Sequence, residues 1–231
     1  MSTIDDLKSN INNPILKLND KQKIGIRYYE PLLERIPREE ILLYKQLFTN
    51  IFKSISNDNS SDSFEIVGSF RRGANNSGDI DVIVTGETSG KFNQFLDTLT
   101  EQNIIVEVLS RGDCKSLTIG KLNNHSVPRR IDFLFSPLNE YSFAILYFTG
   151  SKYFNTAMRN HALQKNYTLN EHGIYNIKNV TGHKFVKGDR VVFPFIQEQD
   201  IFEFLQLEYV EPNKRKDSNS LILMPGPKLQ I

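Results

Sequence analysis

Two aspartates one residue apart, Asp79 and Asp81, are the residues of this 231-residue chain whose spacing most directly suggests chemistry. They open the run Asp79-Ile80-Asp81-Val82-Ile83-Val84, whose β-branched residues read as a strand. Residues i and i+2 of a strand share a face, so both carboxylates point one way while Ile80, Val82 and Val84 point into a core. Like charges held this close repel. Water offsets part of that cost on an ordinary solvated strand face. A divalent cation offsets more, since Mg²⁺ takes oxygen ligands and leaves positions for water and substrate phosphates. Ten residues upstream, Gly68-Ser69 follows another β-like run. A small residue and a hydroxyl opening a helical turn there aim backbone N–H groups and the Ser69 Oγ at an anion, with Arg72 one turn on to add charge. Ser77-Gly78 has the composition of a second such turn.

A third carboxylate comes from Arg129-Arg130-Ile131-Asp132-Phe133-Leu134-Phe135. Alternation puts Ile131, Phe133 and Phe135 on one face and Asp132 on the other, with Arg130 beside it. If this strand pairs next to 79–84, three carboxylates converge. That geometry suits two-metal phosphoryl transfer, in which one ion activates a hydroxyl and the other holds a triphosphate and its leaving group.

The elements that must position these residues follow from periodicity. Residues 22–56 read as helical, with Ile41, Tyr44, Leu47/Phe48, Ile51/Phe52 and Ile55 as the core stripe and Pro37, Glu39 and Glu40 suiting a helix start. Residues 57–63 form a polar, helix-breaking linker. Strands are expected at Phe64–Val67, Asp79–Val84, Ile104–Leu109, Ser116–Ile119 and Arg130–Phe135, with a helix over 89–102, which together make a mixed α/β sheet domain. Helix returns from 139 to about 165 across a break at Thr149-Gly150-Ser151, followed by a β-rich piece over 167–193 and a short helix near 198–208. The stretch from Glu211, with Lys214-Arg215-Lys216 and the apolar Leu221–Met224, reads as a flexible tail, although the basic triplet also has the composition of a nuclear address or a DNA contact.

The Gly-Ser…Asp-x-Asp pattern resembles the nucleotidyltransferase superfamily, and the longer string Gly68–Asp81 resembles the family X DNA polymerases of the DNA polymerase beta type. Further stretches carry the same resemblance. Arg27–Glu30 and Arg35–Glu40 resemble the end of that family's fingers region, and Arg129–Asp132 its third-carboxylate strand. Tyr147–Ser151, Asn155, Met158-Arg159, His161–Leu163 and Asn170-Glu171 resemble its thumb. The resemblance implies an α+β fold: a nucleotidyltransferase-type palm (64–137), a helical fingers remnant before it (1–63), an α/β thumb after it (138–213), and the tail (214–231).

Residue by residue, the resemblance implies that Asp79, Asp81 and Asp132 bind two Mg²⁺ (Mn²⁺ substituting), with Asp132 nearest a primer 3′-hydroxyl. Ser69, Arg72, Ser77 and Gly78 would take the β- and γ-phosphates, and Arg130 a primer phosphate while steadying Asp132. Tyr147, Phe148 and Gly150 would pack against the incoming sugar, although Tyr147-Phe148 alone also reads as helix-end core packing. Asn155 and Arg159 would read the minor-groove side of the new pair. Two positions depart from the family pattern: Lys152 stands where an acidic residue is common and has the reach to meet a phosphate, and His172 stands where a tyrosine is common. Only some 20 residues precede the matched region, so neither the lyase domain nor the helix–hairpin–helix elements of that family are expected. The ten residues Gly120–Arg129 leave room only for a short hairpin, which favours template use.

Composition bounds these readings. The formal charge is +1, from 28 basic and 27 acidic residues, and the basic excess lies in 136–231 with eleven basic to nine acidic residues. A nucleic-acid partner is therefore not announced by the total charge. The longest apolar run, Phe143–Phe148, is too short to span a bilayer. A single cysteine, Cys114, excludes a disulfide framework, and His125, His161, His172 and His183 lack metal-ligand spacing. The expected protein is a template-directed DNA polymerase of the repair type, acting on gapped or nicked primer-template DNA and dNTPs without lyase or proofreading activity. It is expected to be monomeric, to work alongside a DNA ligase, and to be neither secreted nor membrane-bound: nuclear if from a eukaryotic cell, cytoplasmic or in the virion if from a large DNA virus. The alternatives are a template-independent nucleotidyltransferase on DNA or RNA ends and a non-catalytic DNA-end-binding scaffold.

Overall fold

The chain begins with α1 (Ile4–Ser9) and α2 (Asp20–Arg27), each opened by a capping box, at Thr3/Asp6 and Asn19/Gln22. The helical stretch expected over 22–56 is three pieces: α2, α3 (Tyr29–Leu33), and α4 (Arg38–Ile55), which begins after Pro37 as expected and follows the two-residue strand β1 (Ile36–Pro37). The reason is local. Pro31 is tolerated only within the first turn of α3, and Pro37 is the extended residue that precedes α4. There follow β2 (Ser63–Ile66), the single turn α5 (Gly68–Arg71), β3 (Asn76–Ser77), β4 (Ile80–Gly86), α6 (Gly90–Glu101), β5 (Ile105–Arg111), β6 (Lys115–Gly120) and β7 (Arg129–Pro137). The C-terminal half adds α7 (Tyr141–Thr149), α8 (Lys152–Gln164), β8 (Tyr167–Asn170), β9 (Gly173–Thr181), β10 (Lys184–Arg190) and α9 (Glu198–Phe204). This computed structural model describes residues 3–56, 61–181 and 184–225; residues 57–60 of the expected linker and His183 lie outside the described residues. The architecture is α+β, as expected.

The chain divides into two compact units that are discontinuous in sequence, cutting across the boundaries expected at 63 and 137. The first comprises residues 1–60, 75–82 and 89–135, the second 61–74, 83–88 and 136–231. In the first unit the sheet runs β4-β7-β6-β5, with β5–β6 and β6–β7 antiparallel. The expected stripe of α4 is buried at Ile41, Tyr44, Phe48, Ile51 and Phe52. Phe48 lies 5.7 Å from Phe95 of α6, edge-on, and 5.8 Å from Phe133 of β7. Phe95 also meets Phe52 and Phe133 edge-on, so one aromatic cluster backs the sheet. Arg129, 5% exposed, donates from Nε and Nη2 to both carboxylate oxygens of Glu40 at 2.8 and 2.7 Å, fixing the start of β7 to the start of α4.

In the second unit β2 lies beside β4, and β10-β9-β8 form an antiparallel sheet. The core gathers Phe143, Phe154, Met158, Ile174, Ile201, Phe202, Leu205 and Leu207. At its centre is Glu198, 4% exposed. Arg71 donates Nη1 and Nη2 to its two oxygens at 3.1 and 2.8 Å, and Arg215, fully buried, donates Nη1 at 2.7 Å. Burial alone would push the Glu198 carboxyl up, yet the two guanidiniums hold it below the usual carboxylate range. Arg215 also donates Nε to the Val210 carbonyl and lies over the rings of Phe154, Phe202 and Tyr209 at 5.5–5.6 Å.

The flexible tail expected from 214 is thus corrected over 214–225. Arg215 is a core residue, and Leu223 bridges Leu207 while Met224 N–H donates to the Gln206 carbonyl. A basic triplet does not reveal in sequence which of its members meets a buried carboxylate; Lys214 and Lys216 are the exposed ones.

Two substitutions test this anchoring. Phe48→Ala is expected to cost about 3–5 kcal/mol in urea unfolding. Glu198→Gln leaves the buried Arg215 guanidinium and the partly buried Arg71 uncompensated and is expected to cost about 3–5 kcal/mol, read the same way.

Candidate active site

The sheet order places β7 directly beside β4, the condition on which convergence of the three aspartates depended. Asp79 ends the turn before β4, Asp81 is its second residue, and Asp132 is the fourth residue of β7. Ile80 and Val82 are 1% and 0% exposed, and on β7 Ile131 and Phe133 are both 0% exposed, so the alternation read from sequence sends all three carboxylates to the opposite face. One oxygen of each can be chosen so that all lie within 4.8 Å of one another. The segment ahead of Asp79 is pinned: Ile36 pairs with Ser77 and Pro37 with Asn76, while Arg35 Nε donates to Asn76 Oδ1 at 2.9 Å.

The electrostatics of this cluster are unbalanced. Burial, then the charges of Asp79 and Asp132, push the Asp81 carboxyl up to about 7; Arg130 and Lys115 oppose the rise. Asp132, 6% exposed, takes a bidentate pair from Arg130, Nε to Oδ1 at 3.0 Å and Nη2 to Oδ2 at 2.7 Å, and this pairing holds the guanidinium more firmly protonated. Among the described residues Arg130 is thus hydrogen-bonded to one of the three acids, and Lys115 adds a second positive charge. Three oxygen donors converging with a net negative charge fit a hard divalent cation, which takes carboxylate oxygens and retains water.

Lys115 is the site residue that motif reading missed. Leu117 of β6 stands opposite Asp132 and Lys115 opposite Leu134, so Lys115 shares the carboxylate face two positions along. Its signal is the alternation of Ser116 and Thr118, both buried, against exposed Lys115.

The structure brings Asp79, Asp81, Asp132 and Arg130 together in the first unit, where Ser77 and Gly78 also lie. Ser77 is not the opener of a helical turn: it is 1% exposed and belongs to β3, because its backbone pairs with Ile36. The other expected residues lie in the second unit. There Gly68, with φ +62°, turns the chain from β2 into α5, and Ser69 is half-buried with its carbonyl accepting from Ala74 N–H. Arg72 donates Nη1 to the Thr149 carbonyl, and a Cβ at Gly150 would stand 3.2 Å from that nitrogen. Gly150, φ +68°, joins Ser151 through a cis peptide bond. Tyr147 and Phe148 stack edge-on at 5.1 Å, and Asn155 Nδ2 donates to the Tyr147 carbonyl at 2.6 Å. Asn155 and Arg159 line the same small cavity as Tyr147, while Lys152 is exposed at the first position of α8. Ser151 N–H and Oγ donate to the carbonyls of Arg215 and Lys216, which ties this turn to the segment read as a tail.

Among known proteins, residues 35–138 match the family description "DNA polymerase beta palm" and residues 144–216 "DNA polymerase beta thumb". The chain is 33% identical over 218 residues to DNA polymerase lambda of Rattus norvegicus, covering 87% of this chain and 36% of that protein. It is 28% identical to DNA polymerase lambda of Arabidopsis thaliana, covering 92% and 41%, and 26% identical to DNA nucleotidylexotransferase of Xenopus laevis, covering 92% and 47%. The chain therefore spans between about a third and a half of the length of these relatives. No helix among the described residues is long and apolar enough to cross a membrane. With palm and thumb both matched and the carboxylates of the shared motif converging in the fold, the chain belongs to the family X DNA polymerases.

Proposed function

We propose that this chain is the catalytic core of a template-directed DNA polymerase that fills short gaps in DNA repair, joining a dNMP to a primer 3′-hydroxyl. The observation that carries this reading is the convergence of Asp79, Asp81 and Asp132 beside Arg130. In the reaction O3′ bonds to the α-phosphorus, the bond to the bridging oxygen breaks, the hydroxyl proton passes to water and pyrophosphate leaves. Asp79, Asp81 and Asp132 would hold two divalent ions, Mg²⁺ or Mn²⁺, which would supply charge neutralisation at the attacking and leaving oxygens. Asp132, buried and oriented by its bidentate pair, is assigned to the primer 3′-hydroxyl, and Arg130, half-exposed, to the primer phosphate. Ser69, Arg72, Ser77 and Gly78 are assigned to the triphosphate, Tyr147, Phe148 and Gly150 to the sugar, and Asn155 and Arg159 to the minor-groove edge of the new pair. Lys152, a cation at the head of α8, is assigned to a DNA or nucleotide phosphate.

Template use is supported by the short connection between β6 and β7, residues 121–128, and by the two DNA polymerase lambda relatives. The DNA nucleotidylexotransferase relative favours a second reading, untemplated addition to DNA ends. Extension of a one-nucleotide gap compared with extension of a lone single strand separates them: gap filling restricted to the complementary dNTP supports the first, and efficient single-strand extension the second. In the same assay Asp132→Ala is expected to lower primer extension by about 10²–10³-fold or more. Near-normal extension by that variant would remove the metal assignment.

A second expectation concerns pH. The Asp81 carboxyl, raised to about 7 in the fold, binds its proton more tightly folded than unfolded. The stability this contributes is present at acid pH and is lost as pH rises through about 7. Without divalent ions, thermal melts are therefore expected to fall between pH 5.5 and 8.5. Mg²⁺ or Mn²⁺ should reverse the fall, and Asp81→Asn should abolish both the pH slope and the metal response.

A further inference from the structure

Away from the carboxylates, the N-terminal segment of the first unit lines an open cleft of about 360 Å³ formed by Lys8, Ile11, Asn12, Lys23 and Arg27. That volume lies within the range of small-ligand pockets, yet the lining is not the apolar surface such pockets usually carry. Among the described residues it holds three cations, one amide, one aliphatic side chain and no carboxylate. Lys23 and Arg27 are four residues apart on α2 and so share one helix face, where like charges destabilise each other. Lys8 comes from the last turn of α1 to join them.

Two of the three cations have a partner outside the cleft lining. Lys8 pairs with Glu30, and Arg27 Nη1 with Glu107 at 3.1 Å. The third is left over: Lys23 is half-buried, and its ammonium has no hydrogen bond or ion pair among the described residues. An unpaired ammonium beside two further cations leaves hydrogen-bond donors that an anion entering the cleft can take up.

We propose that this cleft is a phosphate-binding site, with Lys23 as its central cation and the Asn12 amide as an added donor. The inference rests on the DNA-polymerase reading, which makes the ligand a phosphate of the DNA substrate. The group is either a terminal 5′-phosphomonoester or an internal phosphodiester, since both offer the same oxygen acceptors to the same donors.

Fluorescence anisotropy of the whole chain decides between these sources. Three labelled DNAs are titrated across a range of salt concentrations: one-nucleotide-gapped DNA with a downstream 5′-phosphate, the same gap with a 5′-hydroxyl, and primer-template without a downstream strand. Lys23→Gln is expected to weaken binding about ten-fold and to reduce the salt slope by about one. Lys23→Arg keeps the charge and should keep the affinity, and melting of both variants checks that they fold. A loss confined to the 5′-phosphorylated gap identifies the terminal phosphate; an equal loss on all three DNAs identifies an internal one. Unchanged affinity and slope in Lys23→Gln, with the wild type binding DNA, overturns the pocket and leaves the polymerase reading intact. A wild type that binds none of the three DNAs overturns both.

Discussion

The constraint on which the site depends is the repulsion among three carboxylates held on one face of two neighbouring strands. Added to burial, which is the larger cause, it lifts Asp81 to about 7 against the pull of Arg130 and Lys115. A fold that keeps such charges together without a bound cation must hold them there by something other than their own contacts. Here the hold comes from behind. Ile80 and Val82, and Ile131 and Phe133 on the next strand, are sealed into a core, and Phe133 is gripped by Phe48 and Phe95. Asp81 and Asp132 each sit between residues that cannot turn outward without exposing a large apolar surface, and Asp79 directly precedes one of them. The hydrophobic effect on one face thus sustains the electrostatic cost on the other.

The second unit solves a similar problem with the signs exchanged. Glu198 is a single buried acid met by two guanidiniums, Arg71 from α5 and Arg215 from the segment after α9. Arg71 is adjacent in sequence to Arg72, and Arg71 Nη1 and Arg72 Nη1 reach the hydroxyl and the carbonyl of Thr149 respectively. The turn after Tyr147-Phe148 is therefore held from two sides, by α5 and by the 215–216 backbone. A buried ion pair is a poor source of net stability but a strong source of geometry, because each group has few alternative partners.

Much of this was legible in the sequence because it rests on short periods. The i, i+2 spacing of Asp79 and Asp81, the Ile131/Phe133 alternation around Asp132 and the α4 stripe from Ile41 to Phe52 each declare a face. Adjacency of β4 and β7 could only be posed as a condition, since pairing of strands some fifty residues apart leaves no local trace. Lys115 was missed for the same reason: its place on the carboxylate face comes from register with β7. The start of α4 was legible from Pro37, Glu39 and Glu40, whereas the end of α2 and the short α3 around Pro31 carry no such signal. The burial of Arg215 was hidden because its partner, Glu198, is seventeen residues away and looks like any exposed helix acid.

The register that sets Leu117 against Asp132 also separates two kinds of change in chain length. Residues 121–128 form the connection between β6 and β7, where insertions and deletions lengthen or shorten a surface loop at little cost. Removal of one residue inside β7, between Arg129 and Asp132, would instead rotate Asp132 into the aromatic core and carry Phe133 out to solvent. Diversification of this protein by indels is therefore tolerated by the fold in the hairpin and forbidden a few residues later. Lineages descended from it should differ in the number of residues at the tip and keep the count from Arg129 onward.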